Sequence, residues 1–215
     1  MNAKKISTSI FAVAIVLIAS LVAAKVFSRV GRTDPAPHAA QAKNEQTTAK
    51  KVVHITGEVN YEMYASLVDS FNDFEEMGSP DVEVVISSDG GFVEPGLEII
   101  DLLEGYEGKK TAKVVRIAGS MAAIILQACD QRACEDNATI FVHNLYVERV
   151  ELDQLRDERQ RKRLIDDLEK DQERMYRIVM KRSGMSRQEV VEIWKEAPTL
   201  NAKEALELNL IDRIR

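Results

Sequence analysis

The sequence predicts an α/β domain with a largely parallel sheet, carried behind an N-terminal apolar segment. Three observations lead there. Between Lys51 and Ile214, short runs rich in Val and Ile alternate with stretches whose apolar residues recur at helical spacing. Clusters of Gly, Pro, Ser and Asp punctuate them. The first 30 residues differ in kind, with Lys4 and Lys5 ahead of a run from Ile10 to Ala24 that only Ser20 interrupts.

That run, extended back to Ile6, comes close to the roughly 20 residues a helix needs to cross a bilayer. Val22-Ala23-Ala24 resembles a small-residue cleavage site. A signal peptide and an uncleaved anchor both fit; the length of the run favours the anchor. Lys25, Arg29 and Arg32 on its far side match Lys4 and Lys5 on the near side, so charge asymmetry does not set orientation. The expectation is a bacterial inner-membrane protein with its domain on the periplasmic side, or a domain released after cleavage. Residues 31–50 hold Pro35 and Pro37 among small polar residues and read as a flexible linker, His38 being a solvated part of it.

The domain occupies 51–215. Val52–Thr56 reads as a strand ended by Gly57. Asn60–Met77 places Met63, Leu67, Phe71 and Phe74 on one helix face, and Gly78-Ser79-Pro80 stops it. Val82–Ile86 is a second strand, followed by the loop Ser87-Ser88-Asp89-Gly90-Gly91. Pro95–Leu103 is a helix, with Pro95 suited to its first turn. Thr111–Ile117 is a third strand, turning through Ala118-Gly119-Ser120 into a helix over Met121–Ala128. Thr139–Val142 is a strand that ends at His143. Glu151–Arg182 reads as one long charged helix whose apolar stripe breaks at Arg156–Arg163. A helix capped by Ser186 and Glu189, another over Asn201–Leu208, and a strand over Leu210–Ile214 complete the chain.

The net charge of −6 gives no basic face for nucleic acid. The glycine loop lacks the length and lysine of a nucleotide-binding P-loop. Two cysteines without a nearby histidine pair are too few for a zinc site, so neither a metal nor an organic cofactor is implied. Cys129 and Cys134 could form a local disulfide in an exported protein.

Ser120 stands where a strand gives way to a helix, a place that exposes a hydroxyl beside free N–H groups able to hold an oxyanion. A simple helix-capping serine would look the same. Gly90-Gly91 allows positive φ and close backbone approach; a tight turn would need as much. His143 is a candidate base for the hydroxyl, whereas His54 lies inside a strand.

Taken in order, SSDGGFVEPGLEIID, AGSMAA and FVHN, followed by SGMSRQEVVEIW and NAKEALELNLIDRI, resemble the proteolytic subunit of the Clp protease family. The resemblance implies the β-β-α superhelix shared with crotonases and a self-associating serine peptidase acting on peptide or protein substrates. It implies Ser120 as nucleophile and His143 as general base. Met121 and the Gly90-Gly91 loop, Gly91 above all, would then supply the oxyanion hole. Three departures stand out. Ala197 occupies the position of the family's catalytic aspartate, with the carboxylate of Glu196 beside it. The segment after the histidine, NLYVERVELDQ, has no glycine. An exported domain has no access to a cytosolic ATP-driven unfoldase. The competing readings are a catalytically impaired scaffold, for which Ala197 speaks, and an acyl-CoA enzyme on the crotonase fold.

Overall fold

A computed structural model describes residues 50–147 and 149–215. The N-terminal apolar run, the linker and His38 lie outside the described residues. Among the described residues no helix is long and apolar enough to cross a membrane.

Strand β1 (Lys51–Val59), strand β2 (Val82–Gly91) and strand β3 (Lys110–Gly119) lie side by side and parallel. Along β2 the side chains alternate strictly between buried and partly exposed from Val82 to Ser88, as a sheet with one covered face demands. β1 does not stop at Gly57. Gly57, at φ 83°, is absorbed as a register shift between Thr56 and Glu58, and the strand continues to Val59. Helix α1 (Tyr61–Glu76) starts where Asn60 accepts the Met63 N–H (2.9 Å). It buries Leu67 and Phe71 against the sheet, and Phe71 meets Tyr106 edge-on at 4.8 Å. Helix α2 (Val93–Gly105) follows β2, with Pro95 in its first turn.

β3 is long enough to carry two partners end to end. Its first half pairs parallel with β4 (Gln131–Cys134), and its last three residues pair parallel with β5 (Thr139–Phe141). Helix α3 (Met121–Ile125) and the 3-10 turn Leu126–Ala128 link β3 to β4, every one of their residues buried. The mixed α/β fold with a parallel-rich sheet matches the sequence expectation.

The long charged helix is two helices. Asp157 ends α4 (Leu152–Arg156) and caps α5 (Glu158–Ser183) by accepting the Gln160 N–H. A carboxylate that can satisfy free N–H groups competes with continued helix at that point. Helix α6 (Arg187–Glu196) carries the expected capping box of Ser186 and Glu189. After it comes a short strand not evident in the sequence, β6 (Thr199–Asn201), antiparallel to β5. Helix α7 (Ala202–Glu207) and strand β7 (Arg213–Ile214), parallel to β4, finish the domain.

The disulfide expected between Cys129 and Cys134 is not present: both are free, buried thiols. Asp130 already bonds the Lys110 carbonyl through its N–H, so strand-like backbone runs from there to Cys134. At about 3.3 Å per residue that run advances roughly 13 Å. Stepping back one Cα to Cys129 still leaves more than the ~7 Å a disulfide spans.

Candidate active site

Three neighbouring parallel strands, β2, β3 and β5, deliver the candidate residues from their C-terminal ends, where open α/β sheets bind ligands. Gly90 and Gly91 close β2, Ser120 follows β3, and His143 stands two residues past β5. Ser120, Gly91 and His143 line one cleft of about 730 Å³. Its apolar lining includes Ile124, Met175 and Trp194, while Glu58, Asp89 and Arg149 bring charge to it.

Ser120 adopts φ 49°, ψ −121°, a region residues with a Cβ rarely enter. Its N–H donates to the Phe141 carbonyl (2.7 Å), which ties the turn to the end of β5. Although it occupies the capping position of α3, its hydroxyl accepts no capping hydrogen bond. The capping role therefore does not account for this serine. The strained turn leaves the hydroxyl free in the cleft, a geometry shared with the strand-to-helix nucleophile turns of hydrolases.

Gly90, at φ 106°, sits directly against that turn. A Cβ placed on it would come 2.7 Å from both Gly119 O and Ser120 Cβ, and 3.0 Å from Met121 N. The Gly90 N–H is already taken by Ser88 Oγ (3.1 Å), so Gly90 is a spacer and not a free donor. The next amide but one, that of Phe92, donates to the Val59 carbonyl (2.8 Å) on β1.

His143 is half-buried, with its ring between Phe141 and Tyr146 at centroid distances of 5.1 and 5.3 Å. Nδ1 lies 2.7 Å from the main-chain oxygen of Asn144. A carbonyl only accepts, so Nδ1 carries the proton and the lone pair of the neutral ring lies on Nε2. Ser120 and His143 share the cleft without a hydrogen bond between them. Such bonds are often long before substrate arrives and tighten with it.

The β5–β6 register pairs Phe141 with Thr199. The pairing ends there, and Ala197, in a left-handed turn at φ 48°, is exposed and does not line the cleft. The Glu196 side chain is exposed and does not line the cleft, so the structure does not bring it to His143. Three residues escaped the sequence reading. Tyr176 donates its hydroxyl to Asn144 Oδ1 (2.5 Å), and Gln172 Oε1 accepts the Leu145 N–H (2.6 Å). Burial pushes the Tyr176 phenol above its usual range, against the pull of Arg187 over its ring, so it stays a donor. Tyr176 had a weak signal, a second bulky residue beside Met175 on the apolar stripe of α5; Asn144 and Gln172 had none.

A strained serine, a histidine and paired glycines on adjacent strand ends are compatible with a serine hydrolase. The matched relatives narrow that class. A family model described as Clp protease matches residues 38–215, and the chain belongs to the Clp protease family, whose members are serine peptidases. The ATP-dependent Clp protease proteolytic subunit of Carsonella ruddii (strain PV) is 28% identical over 96 residues, covering 44% of this chain and 50% of that protein. The chain thus spans about half the length of the curated relative it matches.

Proposed function

We propose that this chain is a serine peptidase in which Ser120 is the nucleophile and His143 its base. The observation that carries the reading is the Ser120 hydroxyl, released from capping and held by a strained turn in the same cleft as His143. Ser120 Oγ attacks the substrate carbonyl carbon as its proton passes to His143 Nε2. The N–H groups of Met121 and Gly91 receive the negative charge that develops on the carbonyl oxygen. The imidazolium then gives that proton to the departing amine. Water, deprotonated by the same ring, hydrolyses the acyl-enzyme. The apolar residues of the cleft suit a hydrophobic side chain beside the scissile bond.

Ala197 favours a second reading, a binding scaffold without turnover, because removing a triad carboxylate cost about 10⁴-fold in one well-studied protease. Fluorophosphonate labelling of the full-length protein decides between them. Labelling that disappears in both Ser120→Ala and His143→Ala supports the peptidase; a folded wild type that takes no label leaves the scaffold. Self-association and membrane attachment through the N-terminal segment, with the domain exported, belong to the same proposal. The exposed Leu152, Leu155 and Ile165 on α4 and α5 are the contacts we assign to self-association. Protease protection of intact spheroplasts tests the exported orientation: an accessible domain supports it, a protected one refutes it.

A further inference from the structure

His143 has an orienting partner although the expected carboxylate is absent. We propose that the main-chain carbonyl of Asn144 takes the place of the triad acid toward His143, and that Tyr176 is the positioning residue that fixes it. The proposal rests on the reading of Ser120 and His143 as nucleophile and base.

A base for serine must present Nε2 unprotonated, and a partner on Nδ1 enforces that tautomer. In this chain the Asn144 carbonyl accepts from Nδ1 at 2.7 Å. A carbonyl in a free loop would hold no ring in place, but this one is anchored at two adjacent points by α5. Tyr176 Oη donates to the Asn144 side chain at 2.5 Å, and Gln172 accepts the N–H of Leu145 at 2.6 Å. Tyr176 is itself rigid: it is 5% exposed, and its ring meets the buried Trp194 edge-on at 5.0 Å. The chain of contacts therefore runs from the packed helix layer through Asn144 to the imidazole. A carbonyl dipole sets the tautomer as a carboxylate does. It carries no net charge, so it stabilises the imidazolium less, and Ser120 reacts more slowly than in a full triad.

Two measurements on the full-length protein test this. In ¹⁵N NMR of the imidazole, neutral His143 is expected as the Nδ1–H tautomer, and Tyr176→Phe is expected to give a mixture. In fluorophosphonate labelling, Tyr176→Phe is expected to slow Ser120 by about tenfold, the scale of one lost hydrogen bond. Asn144→Ala removes the same anchor from the cleft side, so the double variant should be no slower than either single one. A purely structural role for Tyr176 would leave the tautomer of neutral His143 unchanged in Tyr176→Phe. An Nε2–H tautomer in the wild type overturns the proposal, as does an undiminished rate or an unchanged tautomer in Tyr176→Phe. Wild-type labelling that needs His143 but ignores Tyr176 removes this inference and leaves the peptidase standing. No wild-type labelling removes both.

Discussion

Gly90 and Ser120 are in such close backbone contact that a single methyl group on Gly90 would lie 2.7 Å from the Cβ of Ser120. The same methyl would come 3.0 Å from the Met121 nitrogen, the donor assigned to the oxyanion. Gly90→Ala is therefore expected to reduce fluorophosphonate labelling by about 10²-fold or more, the scale of one lost oxyanion donor. The measurement is the second-order labelling rate, taken beside a thermal melt that shows the variant is folded.

Ser120 stores strain, and relieving it should stabilise the fold at the expense of the chemistry. Glycine accepts φ 49°, ψ −121° without a Cβ penalty. Ser120→Gly should gain about 1 kcal/mol net, a rise in Tm of about 2–4 °C. Ser120→Ala keeps the Cβ and the strain and should melt with the wild type. Both lose labelling. Differential scanning calorimetry separates them; equal Tm values for glycine and alanine would remove strain from the account.

Asp212 ties the C-terminal segment to the centre of the domain. Burial works to raise its carboxyl, but the Arg132 guanidinium and N–H outweigh it and hold the group below its usual range. A carboxyl depressed in the folded state contributes stability above its unfolded pKa of about 3.9, and that contribution is lost as pH falls through the lower folded value. The wild-type Tm should therefore fall more steeply than that of Asp212→Asn as pH drops below about 4. At pH 7 the variant should be less stable by about 1 kcal/mol: Arg132, 3% exposed, loses a charged acceptor, but the Asp212 side chain is 40% exposed and solvent screens the pair.

Both thiols should be inert in the native protein. Burial, with Asp130 nearby, pushes Cys129 up to about 12, and burial pushes Cys134 up to about 11. Thiolate is the reacting form, so an aromatic disulfide reagent at pH 8 should titrate neither cysteine until denaturant is added, and then both. Rapid reaction in the native state would contradict this burial.

The sequence was most informative where chemistry and local geometry coincide. Ser120, His143 and the paired glycines could be found because strand ends, turns and residue type point to the same places, and the structure puts them at one edge of the sheet. That Ala197 stands where the family has an aspartate was also legible, by counting back from Ala202. Asn144 was not, because what it offers His143 is a main-chain carbonyl that every residue possesses; only the tertiary fixing by Tyr176, far along the chain, gives it direction. The break at Asp157 was hidden for a related reason. An aspartate inside a charged run reads as one more solvated residue until its side chain is seen turned onto the Gln160 N–H. β6 is three residues long and has too few positions for alternation to declare itself.

The Ser120 turn is braced by residues distant from it in sequence. Gln127, directly after the short helix behind Ser120, donates to the Leu210 carbonyl and accepts from Arg132, which Asp212 holds, while β7 pairs with β4. Leu210 lies 83 residues beyond Gln127, so during synthesis the turn is made well before its brace. The Ser120 turn is thus left without its support until the chain has been extended to Asp212, and before then the cleft it shares with His143 is unsettled.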